Sequence, residues 1–110
     1  MRIVRHPLVA RDLEGMVAHI VEITGGDVDA AERRLDEVDA LLDQIVASPF
    51  SGVRLGGSLE GWCVRHGGRG YRLSIVFKAD TARDILYIAV VAFGGRDWYG
   101  VSETRKEFSR

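Results

Sequence analysis

Nine consecutive apolar residues, Ile85–Phe93, place the strongest constraint on how this chain can fold. The run is far shorter than the roughly 20 residues that a membrane-spanning helix needs. Turn-forming residues precede it at 80–84, and Gly94 and Gly95 follow it. An uninterrupted apolar run of this length predicts a central strand of a sheet, covered on both of its faces.

Shorter strand-like runs lie on either side of the helical half of the chain. Residues 62–66 and 71–78 alternate between apolar and polar side chains, and a glycine-rich turn joins them. Their short connections to each other and to the central strand predict a three-stranded antiparallel meander. Residues 1–6 predict a further strand at an edge of the sheet, and residues 50–61, with four glycines, are expected to form a loop.

Two segments between residues 7 and 49 have the apolar periodicity of amphipathic helices. Pro7 suits the first turn of the first helix, and Gly25 is expected to end it. Asp29 is the expected N-cap of the second helix, with Glu32 completing a capping box, and Pro49 stops it. The predicted fold class is α+β: an N-terminal strand, a helical hairpin, and the meander in one sheet packed against the two helices.

Charge is distributed unevenly along what we expect to be one domain, residues 1–110. Residues 1–50 contain five Arg against ten Asp and Glu, a net charge of −5. Residues 51–110 contain eight Arg and two Lys against six acids, a net charge of +4. Such a chain can offer a basic face to an anionic partner, although solubility alone also explains charged surfaces.

The single cysteine, Cys63, cannot form an internal disulfide, and the N-terminus lacks the features of a signal peptide. We therefore expect a cytoplasmic protein that does not bind membranes. Cys63 and His66 have no second pair of metal ligands elsewhere in the chain, and no phosphate-binding or dinucleotide motif is present. No metal and no other cofactor is predicted.

Alternation along the strands predicts where two arginines point. If the apolar residues of 71–78 face the helices, Arg72 faces away from them. On the preceding strand, Trp62 and Val64 are the better core candidates, which would turn Arg65 outward with Arg72. The uncovered face of the sheet would then present both guanidinium groups.

Arg96 follows the end of the central strand, so three arginines are expected to converge on that face. A guanidinium group is planar, permanently charged and suited to paired hydrogen bonds with phosphate oxygens. Tyr99 and Trp98 lie near Arg96 in the sequence. Their rings are expected to pack the C-terminal tail onto the sheet, or else to stack on a base.

Three stretches resemble one family when their order and spacing are considered together. They are AERRLDEVDALLDQIVASPFSGVRL before a glycine-rich loop, GRGYRLSIVF, and YIAVVAFGGRDWYGV. Across nearly the whole chain, the sequence resembles the toxins of the RelE/ParE superfamily, which belong to bacterial type II toxin–antitoxin systems. The resemblance implies a cognate antitoxin as partner.

The superfamily divides by activity, and the resemblance implies site residues accordingly. RelE-like members cut mRNA on the ribosome, whereas ParE-like members poison DNA gyrase. In the nuclease branch, Arg65, Arg72 and Arg96 would stabilise charge at the scissile phosphate, with Tyr99 one helical turn before the position of the family's C-terminal tyrosine. That position falls near Ser102.

Cys63 occupies the position of a second basic strand residue in the nuclease branch. The chain therefore retains the charge-stabilising positions and departs from the pattern at the groups that transfer protons. A metal-independent mRNA interferase is placed first among the functions implied. A gyrase inhibitor without nuclease activity and a non-toxic binding domain of the same fold are the alternatives.

Overall fold

The computed structural model describes residues 1–109, which form a five-stranded sheet and three α-helices. The elements, in chain order, are β1 (Arg2–Arg5), α1 (Val9–Ile23), α2 (Val28–Ala47), β2 (Val53–Arg54), β3 (Cys63–Gly67), β4 (Leu73–Asp80), β5 (Ile85–Phe93) and α3 (Trp98–Glu103). Short 3₁₀ turns lie within the β2–β3 and β3–β4 connections and after α3.

The strands are ordered β1-β5-β4-β3-β2 across the sheet. β3, β4 and β5 form the antiparallel meander that the sequence predicts, and β1 pairs with β5 in parallel at one edge. The predicted α+β class and the edge position of the first strand are therefore confirmed. The two-residue strand β2 was not predicted, because it lies in the glycine-rich stretch that we expected to be a loop.

The helical hairpin of α1 and α2 covers one face of the sheet. Its contact with the strands forms a first hydrophobic core that includes Val9, Met16, Ile20, Ala31, Val38, Leu41, Leu42, Ile45, Leu73, Ile75, Phe77, Leu86, Ile88 and Val91. The N-cap of α2 is Asp27, whose carboxylate accepts a hydrogen bond from the N–H of Ala30 at 3.0 Å. The predicted cap at Asp29 was wrong by two residues, since Asp29 already lies in the first helical turn.

β4 begins at Leu73, two residues later than the alternating pattern predicts. Gly70 has a φ of 69° and Tyr71 a φ of 56°, so a turn with two left-handed residues, and not a strand, comes before Arg72 and Leu73. Leu73, Ile75 and Phe77 face the helices as predicted. The assignment of Tyr71 to the same face was wrong, and Arg72 precedes the strand.

A second hydrophobic core covers the opposite face of the sheet, which we expected from the sequence to be uncovered. It consists of Leu59, Trp62, Val64, Val76, Tyr87, Ala89, Val90 and Ala92. Trp98, Val101 and Phe108 of the C-terminal segment pack against it. The all-apolar β5 is thus covered on both faces, as its composition requires, and the tail supplies the second cover.

This second core shows that the side chains of β3 point to the opposite faces from those predicted. Trp62 and Val64 are buried, as expected, but under the C-terminal segment and not under the helices. Cys63 packs on the helix side, and Arg65, two residues further along the strand, lies on that side too. The prediction that Arg65 projects from the face opposite the helices was wrong, because burial identifies a covered face without saying which layer covers it.

None of the helices within residues 1–109 is long and apolar enough to span a membrane.

Candidate functional site

The arginines that the sequence singled out lie in three different places. Arg65 is held at the C-terminal end of α2, where its guanidinium donates to the Oγ of Ser51 at 2.7 Å and to the side-chain oxygen of Gln44 at 3.1 Å. Both partners are uncharged, so Arg65 keeps its net positive charge, but its position is fixed by contacts to the helical layer.

Arg72 lies towards the other end of the helical hairpin. Its guanidinium carbon is 5.5 Å from the centre of the Phe93 ring, a cation–π contact, and its side chain lines a cleft together with Arg34 of α2. Gln44, which binds Arg65, and Arg34 are ten residues apart on α2, about 15 Å along the helix axis. Arg65 and Arg72 therefore do not form a joint phosphate site in this structure.

Arg96 is tied to α1. Its Nη1 donates to Oδ1 of Asp12 at 2.6 Å, and 37% of the Arg96 side chain remains exposed. The predicted convergence of Arg65, Arg72 and Arg96 on one open face was wrong. Phe93 lies between Arg72 and Arg96, since it lines both the cleft of Arg72 and a larger cleft beside Arg96.

Asp12 is the centre of a buried ion cluster at the edge of β5. Arg105 binds its carboxylate through two parallel hydrogen bonds, Nη1 to Oδ2 at 2.7 Å and Nη2 to Oδ1 at 3.0 Å. The N–H of Val91 donates to Oδ2 at 3.1 Å, so the carboxylate accepts four hydrogen bonds when Arg96 is included. The side chains of Asp12 and Arg105 are only 1% and 6% exposed.

The position of this cluster follows from the end of β1. The pairing of β1 with β5 ends at Ile88, beyond which this edge of β5 has no neighbouring strand. A bulge leaves Ala89 without a partner on β4, and the carbonyl of Ala89 accepts from Arg105 at 3.0 Å. Arg105 and Asp12 thus satisfy backbone groups of Ala89 and Val91 that would otherwise be buried without partners.

The electrostatics of the cluster favour the charged form of Asp12. Burial by itself raises the pKa of the Asp12 carboxyl, but the hydrogen bonds from Arg105, Arg96 and the N–H of Val91 outweigh it and hold the pKa below its ordinary value. With its lone pairs occupied and its pKa low, Asp12 is unsuited to act as a general base at neutral pH. It anchors Arg96 and the C-terminal segment.

A cleft of about 500 Å³ opens beside this cluster, between α1 and the end of β5. Arg96, Arg11 and His19 contribute polar groups to its wall, while Phe93 and Met16 contribute apolar surface. Its lining also includes the neutralised Asp12–Arg105 pair, so the exposed guanidinium groups of Arg11 and Arg96 leave it positively charged. The cleft can bind an anionic group, but no unoccupied carboxylate lines it to accept a proton.

Tyr99 lies apart from that cleft. Its hydroxyl donates to the carbonyl of Gly56 at 3.3 Å, and its ring is in edge contact with Trp98, with centroids 6.0 Å apart. Trp98 in turn contacts the ring of His66 and packs on the second core. The prediction that these aromatic residues attach the tail to the sheet is confirmed for Trp98, and the catalytic role of Tyr99 stays a prediction.

Cys63 and His66 lie on opposite faces of β3, as strand parity predicts. Cys63 packs towards the helices, whereas Nδ1 of His66 is 2.7 Å from the Oγ of Ser74 on the other face. Burial raises the pKa of the Cys63 thiol, with a smaller opposing effect from Arg54. Within residues 1–109, no group of three or more His, Cys, Asp or Glu side chains is arranged to hold a metal ion.

The sequence reasoning missed Asp12 and Arg105. One signal was available, because Asp12 occupies the buried stripe of α1 at helical spacing with Val9, Met16 and Ile20. A carboxylate on such a stripe must find a partner or lose its charge. Nothing comparable marked Arg105, which lies in a tail that was predicted to be polar with at most two helical turns.

Comparisons with known proteins agree with this architecture. No family model matches the sequence, and no curated protein matches it. Among solved structures, the chain is similar to a YoeB/ParE toxin from Agrobacterium tumefaciens, with a TM-score of 0.57 and 18% sequence identity. The match covers 84% of this chain and 98% of that toxin. The chain therefore has a RelE/ParE-type toxin fold.

Proposed function

We propose that this chain is the toxin of a type II toxin–antitoxin pair and that it inhibits growth by binding its target. The observation that supports the toxin assignment is the fold match, which extends over 98% of a YoeB/ParE toxin. The sequence resemblance, found in the order of its motifs, supports the same assignment. A cognate antitoxin is the partner that such a toxin requires in the cytoplasm.

The placement of the arginines supports binding over RNA cleavage. An RNA-cleaving site needs several donors around one phosphate, because the transition state concentrates negative charge there. Here Arg65 is attached to the end of α2, and Arg96 is paired with Asp12 at 2.6 Å. A ParE-like inhibitor of DNA gyrase, which needs no such convergence, is therefore the first candidate.

An mRNA interferase is the second candidate, and one observation favours it. Arg72 and Arg96 lie beside clefts that share the ring of Phe93. An RNA strand that crosses Phe93 would meet both guanidinium groups, while the base could stack on the ring. In that case, Arg72→Ala and Arg96→Ala should each abolish cleavage.

Induced expression in a bacterial host that lacks the antitoxin tests both candidates. Growth, mRNA integrity by primer extension, and gyrase-dependent DNA breaks are measured in the same cultures. We expect arrested growth with DNA breaks and intact mRNA. Cleaved mRNA that becomes intact in Arg72→Ala but not in the exposed control Arg83→Ala would establish the second candidate. Normal growth at full expression would refute the toxin assignment and leave a non-toxic binding domain.

A further inference from the structure

A second cleft, of about 290 Å³, lies at the end of the helical hairpin and is separated from the first by Phe93. Two of its walls are basic: Arg33 and Arg34 come from α2, and Arg69 and Arg72 come from the β3–β4 connection. Its remaining lining is Ile20, Ile23, Thr24, Asp27, Ala30 and Phe93. Arginines from two separate elements therefore face one small space with an apolar base.

The charges in this cleft are not balanced. Asp27 is its only carboxylate, and one of its oxygens caps α2 while the other lies 3.9 Å from Arg33. Arg34 is paired with Glu37, just outside the cleft, at 2.9 Å. Arg69 and Arg72 take part in none of the ion pairs found among residues 1–109.

One of the lining residues, Arg34, also has a hydrogen-bond donor without a partner in the described part of the chain. The Nε of Arg34 is buried and has no hydrogen-bond partner within residues 1–109. A buried donor without an acceptor is costly, more so when it carries charge.

The backbone of the β3–β4 connection is shaped to present these side chains. Gly68 and Gly70 have φ angles of 72° and 69°, and Tyr71 has a φ of 56°, a conformation that a bulky side chain rarely adopts. The Tyr71 ring, between Arg69 and Arg72 in the chain, is 78% exposed. Residues in such sparsely populated backbone conformations cluster at active sites and ligand-binding segments.

We propose that this four-arginine cleft binds the phosphate group of a nucleotide, with the base stacked on Tyr71. Guanidinium groups from two walls can donate to several oxygens of one tetrahedral anion. A single carboxylate has only two oxygens and cannot accept from all of these donors. Tyr71 lies between Arg69 and Arg72 in the chain, and an exposed aromatic ring offers a stacking surface for any base. The ligand is either a free mononucleotide or a single strand of nucleic acid, since both supply this chemistry.

The proposal does not depend on the toxin assignment, and its test is a binding measurement on the purified full-length chain. Amide NMR spectra are recorded during titration with inorganic phosphate, adenosine monophosphate and a hexauridylate, and the hexauridylate is also titrated by fluorescence anisotropy. We expect the amide signals of 30–34 and 68–72 to shift. The double variant Arg33→Ala/Arg69→Ala, at two exposed positions, should weaken binding by about tenfold or more.

Two matched variants separate this site from general charge attraction. Arg83→Ala removes an exposed arginine at the β4–β5 turn and should leave the affinity unchanged. Tyr71→Ala should weaken the nucleotide and the hexauridylate but not inorganic phosphate. Hexauridylate binding about tenfold tighter than the mononucleotide identifies a nucleic-acid strand as the ligand, and similar affinities identify the mononucleotide.

Three results would overturn the proposal. The first is the absence of any shift at 30–34 and 68–72 at low ionic strength. The second is an equal loss of affinity in Arg83→Ala and in the double variant. The third is a hexaglutamate peptide that binds this cleft as tightly as the hexauridylate, since the cleft would then select negative charge and not phosphate.

Discussion

Asp12 and Arg105 form a bidentate ion pair, with N–O distances of 2.7 and 3.0 Å. The pair lies where β1 ends and leaves one edge of β5 without a partner strand. Asp12 lies on α1, in the layer on one face of the sheet, and Arg105 follows α3 in the layer on the other face. The pair therefore connects both layers around the edge of β5.

Asp12→Asn should be strongly destabilising. The neutral amide has nearly the same shape, but it leaves the buried guanidinium of Arg105 without a counter-ion, a change that typically costs about 3–5 kcal/mol. The free energy of unfolding from urea titration measures this loss. The control Asp80→Asn breaks the more exposed pair with Arg83 and should cost about 1 kcal/mol or less. Equal stabilities of the two variants would show that the buried pair is not an anchor.

The stability of the wild-type chain should decrease as the pH falls below 6.5, in part through His6. Burial lowers the pKa of His6 from its ordinary 6.5, and the nearby charge of Arg105 lowers it further, against an opposing effect of Asp12. Because the unfolded chain then binds more protons than the folded one, the stabilisation is complete above pH 6.5 and is lost as the pH falls through the lower folded pKa. Nδ1 of His6 also accepts the N–H of Leu8 at 3.0 Å, which protonation prevents.

His6→Asn is the test of this assignment, since an amide oxygen can accept the same hydrogen bond but does not titrate. Urea unfolding is measured for both proteins at intervals between pH 7.5 and about 5. We expect a steeper decline in the wild type than in the variant. Parallel curves would mean that other groups cause the acid sensitivity.

The C-terminal segment is attached to the sheet by an aromatic cluster around Phe108. The centroid of its ring lies 5.0 Å from that of His6, 5.7 Å from that of Tyr87 and 6.0 Å from that of Trp62. Phe108→Ala should therefore cost about 2–3 kcal/mol, below the value for a fully buried ring because Phe108 is half-buried.

The same substitution at Phe50, whose side chain is 70% exposed, is the control and should cost less than about 0.5 kcal/mol. Fluorescence of the buried Trp62 should shift to longer wavelength in Phe108→Ala as water reaches the second face of the sheet. An unchanged emission together with wild-type stability would show that this segment does not protect the sheet.

The sequence predicted most of the layers correctly, because periodicity reports which side chains are buried. The all-apolar β5 required a cover on both faces, and the structure meets that requirement with Trp98, Val101 and Phe108. The tail was nevertheless predicted to be polar. Its apolar residues are few among polar and charged neighbours, and α3 ends at Glu103 before a 3₁₀ turn carries Phe108.

The candidate site was less predictable for the same physical reason. Strand parity groups side chains on a face, but it does not identify the layer that covers that face. With two covered faces, the burial of Trp62 could not determine the direction of Arg65. The partner of Arg96, Asp12, is 84 residues away in sequence, and no local pattern encodes a contact of that kind.

Gly68 allows the β3–β4 connection to approach α2, and its replacement tests that approach. Its φ is 72°, and a Cβ there would lie 2.9 Å from Cδ1 of Leu73 and 3.0 Å from Oε2 of Glu37. The ψ of Gly68 is −176°, so its backbone lies in a region that is essentially restricted to glycine. Gly68→Ala should therefore cost about 1–3 kcal/mol for the backbone and about 1–3 kcal/mol more for crowding.

Gly25→Ala is the matched control, since Gly25 has a φ of 68° but no atom within 4 Å of its Cβ position. It should show the cost of a positive φ without crowding in urea unfolding, so Gly68→Ala should be the more destabilising of the two variants. Gly68→Ala should also shift the amide signals of Arg69 and Arg72, because the turn that carries them must move away from Glu37. Equal costs in both variants, with those signals unmoved, would show that the close approach of the turn to α2 is unimportant for the placement of these arginines.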